Sequence, residues 1–180
     1  MLLTGVTCFL CKVIFEKRLR SCPDINKFYI MVRPKRNIKP IDRIKTEILT
    51  SENFRVLKSM NRNFVEWAES KIVAIQGDLI MENLGLSEED RSMVVNDCHV
   101  IINSAASVNF DDPLQDALQI NYFGCQRMLQ LAKECKRLEI FTHVSTCYVN
   151  CNRLGDIEED IYDKDIDVEL KVKTLMALNP

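Results

Sequence analysis

Apolar positions along this chain fall into two alternating patterns. Short apolar runs at Leu2-Leu3, Lys27 to Val32, Lys71 to Ile75, Cys98 to Ile102 and Phe141 to Val144 predict strands. Longer segments between them carry apolar residues at helical spacing. Phe9 to Ser21 places Leu10, Val13, Ile14 and Leu19 on one broad face, and Cys22-Pro23-Asp24 ends it. Ile41 to Ser70 reads as helix with an interruption near Ser51. Ser87-Glu88-Glu89-Asp90 predicts an N-cap and an acidic first turn, opening a helix to about Val95. Pro113 to Lys136 predicts one long helix, with Leu114, Leu118, Met128, Leu131 and Ala132 as its apolar positions. Beyond Asn150 the pattern weakens into an acidic loop and one amphipathic stretch, Val168 to Leu178.

Strands that are apolar on both sides, alternating with helices, predict an α/β fold: a doubly wound parallel sheet covered on both faces. In such a sheet ligands bind at the carboxyl ends of the strands, so the residues just after each strand carry the information. Gly5 follows the first strand, and the opening Gly5 to Cys11 has the layout of a dinucleotide loop, G-x-x-G-x-x-G, with Cys8 and Cys11 in the second and third glycine slots. A Cβ at the second slot is expected to push the backbone from a pyrophosphate, with strain if positive φ is needed there. One at the third is expected to spread the first helix from the sheet. Arg33, backed by Lys35 and Arg36, follows the second strand, where an arginine pairs with a 2′-phosphate. A solvated basic loop is the competing reading.

Gly77-Asp78-Leu79 follows the third strand, where the carboxylate either accepts from an adenine amino group or caps a turn. Asn103-Ser104-Ala105-Ala106 follows the fourth, and small residues there allow close backbone approach to a cofactor. Ser145 and Thr146 follow the fifth, placed to hydrogen-bond a carbonyl under reduction. Tyr148 is a packed residue or a proton donor. Asn121, polar within an apolar helix, needs a partner and is expected to hold a water near a proton relay.

Charge narrows the picture. A formal net charge of -2 gives no overall footprint for nucleic acid, so no nucleic-acid partner is expected. Eight cysteines contain one C-x-x-C pair and no second, which disfavours zinc, and no metal site is expected. Reduced, packed thiols and a reducing, intracellular compartment are the expectation. No basic segment precedes the apolar opening and no apolar run reaches about 18 residues, so neither an export signal nor a membrane span is expected.

Several segments together resemble the alcohol-forming fatty acyl-CoA reductases of the extended short-chain dehydrogenase/reductase group. They are Leu19-Arg20-Ser21-Cys22-Pro23-Asp24, Val32-Arg33-Pro34-Lys35, Gly77-Asp78-Leu79, Asn83-Leu84-Gly85-Leu86-Ser87, Ser104 to Asp111, Leu118-Gln119-Ile120-Asn121 and His143 to Asn150. The resemblance implies a Rossmann-like domain, incomplete at both ends, over residues 1–150, with 151–180 starting the linker or substrate side. It implies NADPH as cofactor and a fatty acyl-CoA as substrate. Gly5, Thr7, Cys8, Phe9 and Leu10 would hold the pyrophosphate, Arg33 the 2′-phosphate, and Asp78 with Leu79 the adenine. Ala105 and Ala106 would approach the cofactor; Thr146, Ser145 and Asn121 would take the catalytic positions. A peroxisomal or endoplasmic reticulum membrane is implied, with attachment through parts outside this chain. The family's Tyr-x-x-x-Lys pair does not occur within the 180 residues. Two rivals remain open: a degenerate, non-catalytic nucleotide-binding or interaction module of the same fold, and a related reductase acting on a sterol or sugar nucleotide. The Ser-Cys-Pro-Asp and Asn-Leu-Gly-Leu segments argue against the latter.

Overall fold

A computed structural model describes residues 1–162 and 166–178. Five parallel strands form one sheet: β1 (Leu2–Thr4), β2 (Phe28–Val32), β3 (Ile72–Gln76), β4 (Val100–Asn103) and β5 (Ile140–His143), in the order β3-β2-β1-β4-β5. Each expected strand is present, its bounds shifted by a residue or two. The chain winds outward from β1 to β3, then returns to pair β4 on the other side of β1. That reversal opens a crevice above the tips of β1 and β4.

Side chains two apart on a strand share a face, and the core divides accordingly. Leu3, Phe28, Ile30, Val32 and Ile102 point to one layer. There they meet α1 (Phe9–Ser21), α2 (Pro40–Ile44), α3 (Arg55–Met60) and α4 (Phe64–Ser70) through Phe15, Ile44, Leu57 and Phe64. Leu2, Tyr29, Met31, Ile75 and Ile101 point the other way, onto α5 (Glu88–Asp97) and α7 (Gly124–Glu134) through Val94, Met128 and Leu131. Phe15 anchors the first layer edge-on to Phe28 and Phe54, at centroid distances of 5.2 and 5.7 Å.

Three expectations need correction. The buried stripe of α1 is Cys11, Phe15 and Leu19, a spacing of four; Leu10 and Val13 are exposed. The segment 41–70 breaks twice, once near Ser51 and again at 61–63, with a π-turn at Lys45–Leu49. The helix expected over 113–136 is α6 (Leu114–Leu118), a π-turn at Gln119–Phe123, and α7. Ser87 caps α5 as read, its hydroxyl accepting from the Asp90 amide at 3.1 Å. Past Asn150, α8 (Val168–Met176) buries Val172, and Gln115 of α6 donates to the Leu178 carbonyl. Within the region read as 151–180, residues 163–165 and 179–180 lie outside the described residues.

Candidate cofactor site

The first wall of the crevice is the turn after β1. Gly5 has φ +76°, and a Cβ there would lie 2.7 Å from the Ser104 carbonyl carbon and oxygen. Only glycine admits both the conformation and the approach of the β4 loop. The turn closes through the Cys8 amide donating to the Gly5 carbonyl at 2.9 Å. Cys8 itself is extended, φ -85°, so the strain expected in the second glycine slot is absent. Cys11, in the third slot, is fully buried beside the sheet as a small apolar residue. Burial, and secondarily the neighbouring Cys8, push its thiol up to about 12. Cys8 caps α1 without a side-chain hydrogen bond, and the first amides of a helix have no intrahelical acceptor. Free amides at a helix start can receive an anion, and the N-cap residue Cys8 lines the cavity. Phe9 and Leu10, 74% and 47% exposed, are not among the residues that line that cavity.

A buried polar network sets the floor. Thr4 accepts at Oγ1 from the amides of Ser104 and Ala105, both at 3.1 Å, and donates to Asn103 Oδ1 at 2.7 Å. Both Thr4 and Asn103 are fully buried. With both lone pairs of Thr4 taken, its proton must go to Asn103 Oδ1, which turns the Asn103 amide nitrogen to His143 Nδ1 at 3.2 Å. His143 Nδ1 is therefore the acceptor. One hydroxyl at the end of an apolar strand thereby ties β1, β4 and β5 together. A threonine interrupting an apolar run before a glycine was the available sequence signal.

The second wall carries cations. Arg43, on α2, donates from Nη1 to the Arg33 carbonyl at 2.8 Å and pairs through Nε with Glu47 at 3.0 Å. Lys35 reaches the same carboxylate at 2.8 Å. Hydrogen bonds from Lys35, then Arg43, hold Glu47 below the usual carboxylate range. Arg43 was missed from sequence, where it is only one basic residue in a predicted helix. The Asp78 carboxylate accepts from the Ile80 amide at 3.2 Å, the turn-capping alternative. Three left-handed residues, Asn83, Leu84 and Gly85, bring the Leu84 carbonyl to the Asp78 amide at 2.8 Å.

These walls enclose a cavity of about 370 Å³. It gathers Gly5, Thr7, Cys8, Arg33, Asp78, Leu79, Ala105 and Ala106 from the expected set, and adds Arg43, Ser107 and Asn109. Asn121, Ser145 and Thr146 are not among its lining residues. Asn121 has the partner it was expected to need, the Ser107 backbone: its side chain accepts from the Ser107 amide at 2.8 Å and donates to the Ser107 carbonyl at 3.0 Å. Thr146 Oγ1 accepts from the Tyr148 amide at 3.2 Å, and Ser145 is exposed. Tyr148 is also exposed, edge-on to Phe110. All eight cysteines are free, but Cys8, Cys147 and Cys151 are exposed and not packed, because their turns face the open crevice end or solvent. Among the described residues, no three His, Cys, Asp or Glu side chains cluster as metal ligands, and no helix is long and apolar enough to cross a membrane.

A glycine turn, the N-cap residue of α1 and two arginines around one cavity fit an anionic dinucleotide. Curated relatives include fatty acyl-CoA reductase 1 of Mus musculus, 42% identical, and of Homo sapiens, 40% identical, each over 97% of this chain and 33% of the relative. The chloroplastic fatty acyl-CoA reductase 2 of Arabidopsis thaliana is 38% identical over 88% of this chain and 26% of its own length. The chain thus spans about a third of the curated relatives it matches. Among solved structures, the terminal reductase domain of the myxalamid biosynthetic pathway superposes with a TM-score of 0.64 at 29% identity, covering 81% of this chain and 34% of that one. A reductase domain of a Mycobacterium tuberculosis nonribosomal peptide synthetase, 24% identical with a TM-score of 0.65 over 84% of this chain and 34% of that one, shares the fold. The family described as male sterility protein, an NAD-binding family, matches residues 3–179. Matched over nearly its whole length, the chain belongs to that family.

Proposed function

We propose that this chain supplies the NADPH-binding part of a fatty acyl-CoA reductase, which reduces a long-chain fatty acyl-CoA to a primary alcohol and releases CoA. The relatives that bear that name align with it over 97% of its residues. NADPH would supply hydride at the nicotinamide, once to the thioester and once to the aldehyde. The chain's own residues bind and orient. Amides at the start of α1 and the Gly5 turn receive the pyrophosphate. Leu79 and the Asp78 loop flank the adenine, and Ala105 and Ala106 let the cofactor lie close to the backbone. Thr146 accepts from the Tyr148 amide and so keeps its own proton for donation to a substrate carbonyl, with Ser145 beside it. Asn121 acts through Ser107. None of the four tyrosines is followed four residues later by lysine, so the 180-residue chain alone is expected to bind cofactor with negligible turnover. Residues 1–150 form the cofactor domain in this reading, and 151–180 lead toward the substrate side.

The observation that carries the preference for NADPH is the pair of Arg33, after β2, and Arg43, on α2, both lining the cavity. A charged hydrogen bond contributes about 1.5–3 kcal/mol, so NADPH should bind roughly 10- to 100-fold tighter than NADH. Fluorescence titration of the purified chain measures this. Arg33→Ala and Arg43→Ala should each erode the preference, and equal affinities in the unaltered chain would refute it.

One observation favours the rival reading of a nucleotide-binding module without catalysis: Cys8, with a side chain where the glycine pattern has none, lines the cavity at the Gly5 turn. Without backbone strain at Cys8, any weakening must come from the side chain's bulk. In the same titration Cys8→Gly should tighten NADPH binding, and unchanged affinity would remove this argument.

A further inference from the structure

The helix 114–134 packs against the loops after β3 and β4, and of its residues Ile120 lines the cavity. Its π-turn, Gln119–Phe123, sends the Gly124 amide to the Gln119 carbonyl. A π-turn inside an α-helix spends regular hydrogen bonding and is retained where it positions something. Here it faces in two directions.

Toward β3 the first turn of α7, set by the π-turn before it, holds Leu79 twice. A Cβ on Gly124 would lie 2.8 Å from Leu79 Cβ and 3.0 Å from Cδ2, so the absent side chain makes the seat for Leu79. Arg127, one turn further on, donates from Nη1 to the Leu79 carbonyl at 2.8 Å. The same nitrogen reaches the Gln119 carbonyl at 3.4 Å, and Nη2 reaches Gln119 Oε1 at 3.4 Å. The guanidinium lies 5.9 Å from the Phe123 ring centroid. One cation is thus bound to both the β3 loop and the π-turn. Toward β4 the π-turn carries Asn121, with its paired bonds to the Ser107 backbone. Leu79 and Ser107 both line the cavity; Arg127 does not.

We propose that Arg127 is a positioning residue that ties the Leu79 wall to the Ser107 wall through the π-turn, fixing the width of the crevice. The link runs from Leu79 through Arg127 and Gln119 to Asn121 and Ser107. Coupling through such a link is reciprocal: loosening either end must loosen the other. The consequence for NADPH rests on the function proposed above, since a dinucleotide is the ligand that spans both walls. The tie itself is a property of the cofactor-free chain.

Hydrogen–deuterium exchange on the cofactor-free chain tests it. Arg127→Met should raise amide exchange about tenfold at 79–81 and also at 105–109, which Arg127 does not touch, while β1 and β2 amides stay unchanged. Asn121→Ala, at an exposed position, should do the same from the other end. Gln126→Ala, which removes only a bond to the Tyr122 hydroxyl, should move neither loop. A rise confined to the loop that lost its contact, or a uniform rise across the sheet, overturns the tie. A parallel titration should show Arg127→Met weakening NADPH by up to about tenfold, because binding must then order walls that the tie otherwise holds in place. If the unaltered chain binds no NADPH yet the loops exchange together, the tie stands and the cofactor assignment falls. If it binds NADPH but the loops respond separately, the reverse holds.

Discussion

Thr4 illustrates how much one buried hydroxyl can hold. It satisfies two backbone amides that would otherwise be stranded beneath the crevice and still donates to Asn103. Thr4→Val keeps the shape and removes every one of those bonds. An unsatisfied buried donor costs about 1–3 kcal/mol, so the loss should be roughly 2–4 kcal/mol, read from the urea midpoint. The Ala105 loop should also lose its register against Gly5, so cofactor affinity should fall in the same variant. A Thr4→Ser change retains the hydroxyl and should recover most of both. The two cysteines in glycine slots show how residue identity can mislead. Cys8 needs no special backbone angle, and Cys11 sits in the core at a position that faces the sheet.

Among the elements, α2 and the π-turn after it do more than cover the sheet. They carry Arg43 and Glu47 one helical turn apart, so that Glu47 braces Arg43 while Arg43 holds the Arg33 backbone. Glu47 is held below its ordinary carboxylate value by Lys35 first and Arg43 second. A lowered folded-state value means the stabilisation is present above the unfolded carboxylate pKa and disappears as pH falls through the folded one. Urea midpoints should therefore differ between the unaltered chain and Glu47→Gln near neutrality and converge below the ordinary carboxylate range. The pair is partly solvent-exposed, so the difference should be small and should shrink further with salt. A difference that persists unchanged at acid pH would show that Glu47 acts by packing and not by charge.

For the molecule as a whole, the crevice is a product of strand order. Its residues come from β1, β2, the loops after β1 to β4, α2 and the helix between β4 and β5, so a ligand that spans them is linked to folding. At a free concentration one hundred times its dissociation constant, a ligand specific to the folded state adds about 2.7 kcal/mol. For a chain of this length that is roughly 5–10 °C in melting temperature. NADPH should produce that rise at lower concentration than NADH, as measured by calorimetry. No shift with either would argue against the cavity as a dinucleotide site.

The alternation of apolar strands and helices was enough to give the parallel, doubly wound sheet, because strands apolar on both faces and joined by helices leave few other folds. It also pointed to Gly5, Arg33, Asp78 and Ala105, since each follows a strand and strand ends converge. Local spacing could not reveal Arg43, Thr4 or Arg127, whose roles depend on partners 10, 99 and 48 residues away in the chain. Nor could it show the break at 61–63 or the π-turn at 119–123, which alters hydrogen bonding without interrupting the helical apolar pattern. Periodicity reports which face of an element is buried; the contacts that fix the width and charge of the crevice exist only once distant segments are folded against one another.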